Sequence, residues 1–140
     1  MAYLSLNPLA VLVAAALAFG LGALWYSVLF GNLWMRLHGH ATKSEAEQAA
    51  MKAAAPRAYA VSFVCFLVMA CALTALADYI ALHTVNHALK LAVLVFVGFV
   101  GPLGLVANMY SDRPLGAWVL DAGYQALYLV LMSLVVVLWL

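Results

Sequence analysis

Residues 116–140 read GAWVLDAGYQALYLVLMSLVVVLWL and carry a single charged side chain, that of Asp121. A helix of this length is roughly 37 Å long and therefore exceeds the ~30 Å hydrocarbon core of a bilayer. The stretch predicts a transmembrane helix. A charged group inside such a helix is unfavourable unless it faces a partner or water, so Asp121 marks the first place to look for a site.

Three more apolar runs, at about 8–30, 58–82 and 88–108, are also long enough to span a membrane. The chain is 69% hydrophobic and 8% charged, whereas a soluble domain carries about 25% charged residues. Short connections at 83–87 and 109–115 bring consecutive spans side by side and antiparallel. The sequence predicts an all-α bundle of four transmembrane helices forming one transmembrane domain over 1–140.

No basic residue precedes Arg36, so a retained first span is expected rather than a signal peptide.

The polar connection at 31–56 holds most of the charge. Ser44 followed by Glu47 is a capping-box pattern that predicts a helix start. This helix is expected to end before Pro56, which gives a short interfacial or cytoplasmic helix between the first two spans.

In the third span, Pro102 has no N–H to donate to the Gly98 carbonyl, so a kink or a local opening is expected there.

The distribution of basic residues predicts the orientation. The side that holds 31–56 and 109–115 has five of them, and the opposite side has only Lys90. Basic residues accumulate on the cytoplasmic side, which places the long loop in the cytoplasm and both termini outside. The five are Arg36, Lys43, Lys52, Arg57 and Arg113.

Asp121, Tyr124, Gln125 and Tyr128 follow the spacing i, i+3, i+4, i+7, which predicts that all four lie on one helical face. Two interpretations stay open. In one, the carboxyl group belongs to a structural cluster of polar side chains that holds the fourth span against its neighbours. In the other, it is a protonatable group in the path of a small proton- or cation-linked transporter or channel. The candidate partners of the carboxyl group are Asn108, Arg113, Tyr26 and Tyr124.

Small residues at four-residue spacing in the first span, at 14, 18 and 22 and at 16 and 20, predict close helix–helix contacts that join subunits in a homo-oligomer.

A net charge of +1 gives no electrostatic reason to expect a nucleic-acid partner. His83 and His87 are four residues apart, but Lys90 lies on the same face and would repel a cation, so no metal site is expected. We also find no nucleophile or dinucleotide motif, and we expect no cofactor and no enzymatic activity.

Two stretches carry a resemblance to a known family. One is Gly-Ala-Leu-Trp-Tyr-Ser-Val-Leu-Phe-Gly at 22–31, continuing to Trp34 and Met35, and the other is Asn-Met-Tyr-Ser-Asp-Arg-Pro at 108–114 followed by Asp-Ala-Gly-Tyr at 121–124. Together they resemble the small four-span bacterial membrane proteins catalogued as domain of unknown function 1761. The family pattern has a proline where this chain has Val28.

We expect a protein of the inner membrane that is structural or accessory to an unidentified membrane partner. The resemblance is to bacterial membrane proteins and brings no established activity. It also implies which residues belong together, and our topology places them in the cytoplasmic half of the bilayer. They are Trp25, Tyr26, Trp34, Asn108, Arg113, Asp121 and Tyr124.

Overall fold

A computed structural model describes residues 6–39 and 42–139, and this part of the chain contains helices and no strand. Four helices in it are long and apolar enough to cross a membrane, which confirms the predicted all-α membrane bundle. The helices are α1 (Pro8–Ala23), α2 (Gly31–Leu37), α3 (Glu45–Tyr79), α4 (Val85–Val95), α5 (Gly101–Tyr110) and α6 (Leu115–Leu138). Two π-helical segments interrupt this order, Leu24–Leu29 after α1 and Phe96–Val100 between α4 and α5.

The first span begins where the sequence predicts. The Asn7 side chain accepts hydrogen bonds from the backbone N–H groups of Leu9, at 3.1 Å, and Ala10, at 3.4 Å. Pro8 occupies the first turn, where a missing N–H has no consequence because that group has no partner within the helix. The span then continues through the π-helical segment to Leu29.

The prediction that a helix ends at Pro56 is wrong. The cap is present, with the Glu47 N–H donating to Ser44 Oγ at 3.2 Å, but the helix then runs without a break from Glu45 to Tyr79. A proline in a helix removes one backbone hydrogen bond, and the alanine-rich sequence on either side favours helix strongly enough to continue through it. The second span is therefore one helix about 52 Å long, and its first turns extend beyond the hydrocarbon core.

The loop predicted at 31–56 is correspondingly shorter. Its first part is α2, a short helix that the sequence did not predict, and its last part, where the short helix was expected, belongs to α3. The third span carries the expected irregularity just before Pro102. There the Gly101 N–H donates to the Phe96 carbonyl, five residues back, and this wider turn leads into α5.

Helix α6 lies at the centre of the bundle. Of its most apolar stretch, 44% is buried inside the protein, against 28%, 22% and 17% for the spans that begin at Pro8, Glu45 and Val85. It packs against α1, α3 and α4. Its fully buried side chains Leu129, Met132 and Val136 form the centre of the core.

The alanine ridge of α1 packs inside the subunit. Ala14 and Ala18 are completely buried within this single chain, so this ridge supports the fold rather than an external contact. The second ridge, formed by Ala16 and Gly20, is exposed. Nothing lies within 4 Å of where a Cβ at Gly20 would stand.

Candidate functional site

The π-helical segment Leu24–Leu29 sets the direction of two aromatic side chains, Trp25 and Tyr26. It ends with the Phe30 N–H donating to the Trp25 carbonyl at 2.9 Å, five residues back. A single π-helical turn inserts one residue into the helix and changes which side chains face a neighbour, and such turns are common at functional sites. Here it turns consecutive aromatic residues toward α6.

These two residues bind two consecutive residues of α6. The Tyr26 hydroxyl donates to Asp121 Oδ1 at 2.5 Å, which is the length expected of an O–H donor to a carboxylate. Next to it, Trp25 Nε1 donates to the Leu120 carbonyl at 3.2 Å. Asp121 is half-buried. Two adjacent side-chain hydrogen bonds thus hold the end of the first span against the beginning of the fourth.

A third hydrogen bond lies one turn further along α6. The Tyr124 hydroxyl donates to the Ala18 carbonyl at 2.7 Å, and this bond is buried. Gly22 makes the approach possible, because a Cβ at that position would stand 2.7 Å from the Tyr124 hydroxyl oxygen. Gly123 has the same role for Trp25, whose ring would lie 3.2 Å from an added Cβ.

Aromatic rings extend the contact from α1 across α6 to α3. The ring of Tyr124 meets that of Tyr26 edge to face at 5.2 Å and that of Tyr128 at 4.9 Å. Tyr128 in turn meets Phe66 of α3 at 5.2 Å. Edge-to-face pairs at such separations are favourable, so the carboxylate stands at one end of a continuous aromatic row.

Asn108 and Arg113 bind elsewhere. Asn108 is buried, and its Nδ2 donates to the carbonyls of Arg113, at 3.2 Å, and Pro114, at 3.4 Å, which fixes the turn between α5 and α6. Within the described residues, no ion pair joins Arg113 to Asp121. Instead, Arg113 Nε and Asn108 Oδ1 are buried without a hydrogen-bond partner.

Gln125 does not face the same neighbouring helix as Tyr124. Its Oε1 is buried without a partner and lies 3.7 Å from a Cβ built at Gly104 of α5. Tyr124 and Gln125 are consecutive residues, so their side chains point about 100° apart around the helix. Because α6 is surrounded by helices, the two side chains face different neighbours.

Trp118, which the sequence did not single out, also faces α5 and donates from Nε1 to the Gly101 carbonyl at 3.1 Å. Trp34 of α2 stacks on His38, with ring centroids 4.5 Å apart.

A cavity of about 480 Å³ opens beside this cluster, between the end of the first span, α3 and α6. Five aromatic residues line it, namely Phe19, Tyr26, Tyr59, Phe66 and Tyr124. The smaller residues of its wall are Gly22, Ala23, Ser27 and Ser62. Sequence reasoning missed Phe19, Tyr59, Ser62 and Phe66, because an aromatic or serine residue in a membrane span gives no sign of which helix it faces.

In the described part of the chain, no group of three or more His, Cys, Asp or Glu side chains is placed to hold a metal ion. His87 accepts through Nδ1 from the His83 N–H at 3.5 Å. This pair therefore belongs to the start of α4, where the Thr84 side chain also accepts from the His87 N–H at 3.2 Å.

Comparison with known proteins identifies a family. A family model described as "Protein of unknown function (DUF1761)" matches residues 9–137, nearly the whole chain. No curated protein and no solved structure matches.

Proposed function

The chain belongs to the DUF1761 family of proteins of unknown function, and we propose that it is a non-enzymatic membrane protein with a structural or accessory role. The observation that carries this proposal is the hydrogen bond from the Tyr26 hydroxyl to Asp121. It gives the only charged side chain of α6 a fixed partner from the same chain. Together with the bonds made by Trp25 and Tyr124, it makes the polar groups of this region part of the packing between α1 and α6.

Ion flux tests this role. Purified protein is reconstituted in liposomes, a pH gradient is imposed, and proton entry is followed with a trapped pH-sensitive dye. We expect the wild type and Asp121→Ala to give the same rate as protein-free liposomes. A wild-type flux that Asp121→Ala abolishes would overturn the structural role and establish the second candidate below.

We place the protein in a bacterial inner membrane, with the α2–α3 connection in the cytoplasm and both termini on the periplasmic side. The five-to-one distribution of basic residues supports this orientation. Single cysteines at Ser44 and Thr84, introduced after replacement of Cys65 and Cys71, test it in intact cells. A membrane-impermeant maleimide should label the cysteine at position 84 and spare the one at 44, and the reverse pattern would invert the topology.

Self-association is the second part of the proposal. Ala16 and Gly20 form an exposed ridge of small residues on α1, and such ridges let two helices approach closely in a membrane. In the cysteine-free background, Gly20→Cys should form disulfide-linked dimers on mild oxidation. The control is Val93→Cys on α4, whose side chain is 59% exposed in the native protein. Equal crosslinking at both positions would indicate random collision, and then the partner surface must be sought on another protein.

A small proton- or cation-linked transporter or channel is the second candidate function. The observation that favours it is the cavity of about 480 Å³, whose wall includes the same Tyr26 that binds Asp121. In this role, Tyr124 and Tyr128 would line the path and Asp121 would bind the ion. The flux measurement above separates the two functions.

A further inference from the structure

We propose that the cavity between the first span, α3 and α6 is a binding site for a hydrophobic organic cation. Its volume of about 480 Å³ lies within the range of roughly 300–1,000 Å³ typical of small-molecule sites. This inference goes beyond the structural role, because binding at the cavity requires neither self-association nor flux.

The wall of the cavity is made chiefly of ring faces and edges. Phe19 of α1 meets Tyr59 of α3 edge to face at 6.3 Å, and Tyr26 meets Tyr124 in the same way at 5.2 Å. The faces of aromatic rings carry partial negative charge and attract cations, and sites built from several rings recognise organic ammonium groups.

Most hydroxyl groups of the wall offer lone pairs rather than hydrogens. Tyr26 donates its hydrogen to Asp121, Tyr124 donates to the Ala18 carbonyl, and Ser27 donates to the Ala23 carbonyl. A hydroxyl that donates to a strong acceptor becomes a better acceptor itself, because hydrogen bonds in a chain polarise one another. Three of the five hydroxyls in the wall therefore favour a ligand that carries positive charge or N–H donors.

The charge near the cavity has the matching sign. No basic residue lines it, and the carboxylate of Asp121 lies directly behind Tyr26, 2.5 Å from its hydroxyl oxygen. Arg57 precedes Tyr59 by two residues, and on a helix this places the two side chains about 200° apart. An anion would thus find no counter-charge in the cavity wall, whereas a cation finds aromatic rings and, behind Tyr26, a carboxylate.

The requirement that the ligand be hydrophobic follows from the surroundings. The first span and α3, which both contribute to the cavity wall, leave apolar side chains exposed, including Leu24 and Val64. In a membrane, these surfaces face lipid. A cation whose charge is spread over a large apolar body loses less hydration on entering such a site than a compact ammonium ion does.

Two ions of equal shape and opposite charge test the proposal, tetraphenylphosphonium and tetraphenylborate. Radiolabelled ions are equilibrated with the purified protein in dodecyl maltoside micelles, and bound ion is separated from micelle-dissolved ion by retention of the protein on a column. We expect saturable binding of one tetraphenylphosphonium per protein and no saturable binding of tetraphenylborate. Saturable binding of both ions with similar affinity would overturn the proposal.

Variants locate the site. Tyr59→Ala removes one aromatic ring from the wall, at a residue whose side chain is 60% exposed. It should weaken tetraphenylphosphonium binding about fivefold, as expected for the loss of one cation–π contact. Ser62→Leu should also weaken binding, because its larger side chain narrows the cavity. Val64→Ala, on the same helix but outside the wall, is the matched control and should bind as the wild type does.

Asp121→Asn should weaken binding of the cation by about tenfold or more, because it removes the counter-charge behind Tyr26. If this variant does not fold, Tyr59→Ala and Ser62→Leu decide the question alone. Unchanged affinity in both would refute the site. Copurified phospholipid that tetraphenylphosphonium fails to displace would also refute it, because it would identify a lipid chain as the occupant.

Discussion

Gly22→Ala is expected to destabilise the bundle through one contact. The added Cβ would stand 2.7 Å from the hydroxyl oxygen of Tyr124 and 3.1 Å from its Cζ. Ordinary contacts between such atoms begin near 3.5 Å, so the ring must shift by roughly half an ångström or more. That shift also breaks the 2.7 Å hydrogen bond from Tyr124 to the Ala18 carbonyl.

The expected magnitude combines three contributions. Overpacking of a tight contact costs about 1–3 kcal/mol, and the lost hydrogen bond costs about 1 kcal/mol more. Alanine favours helix over glycine by about 1 kcal/mol, which offsets part of this loss. Gly20→Ala isolates the last contribution, because nothing lies within 4 Å of its Cβ. We therefore expect Gly22→Ala to be less stable than Gly20→Ala by about 2–4 kcal/mol.

The assay is equilibrium unfolding by sodium dodecyl sulfate in dodecyl maltoside micelles, followed by tryptophan fluorescence and circular dichroism on the monomeric fraction. A double mutant identifies the cause. Tyr124→Phe removes the oxygen that the new Cβ would meet, so Gly22→Ala should cost about 1–2 kcal/mol less in that background. Equal stability of the two glycine variants, or strict additivity with Tyr124→Phe, would refute the packing described for this contact.

Three further outcomes are expected. Asp121→Ala and Arg113→Ala should add within about 0.5 kcal/mol in the unfolding assay, since these side chains do not pair; a coupling well above that would indicate an ion pair. Asn108→Leu should destabilise the protein by about 1–3 kcal/mol, because its Nδ2 holds two carbonyls of the turn before α6; wild-type stability would contradict this role. Amide hydrogens at 45–57, in the exposed part of α3, should exchange faster with deuterium in mass spectrometry than those at 66–77, which pack on α6; uniform protection along α3 would show that its first turns are covered.

The helix ends show how far local sequence decides structure. Ser44 with Glu47 begins a helix where the pattern predicts, because a cap depends on atoms three residues apart. Pro56 is the counterexample. Its effect depends on the balance between one lost hydrogen bond and the helix preference of a whole segment, and the residue alone does not reveal that balance.

The candidate site, too, could be predicted only in part from the sequence. Asp121 was evident from the sequence because a charge in an apolar run is rare and unfavourable. Its partner was one of four candidates, and only the π-helical segment after α1 decides that Tyr26, rather than Arg113, reaches it. Phe19 and Tyr59 gave no signal at all, because their significance depends on α1 and α3 lying side by side.

The sequence by itself determined that this protein is a bundle of four membrane spans, because hydrophobic length and local caps are properties of consecutive residues. It also determined that Asp121 must face a partner or water. Only the tertiary structure decided the partner, the separation of Gln125 from Tyr124, and the aromatic cavity beside them. These depend on which faces of different helices meet, and that choice is made by packing between residues as far apart in the chain as Trp25 and Leu120.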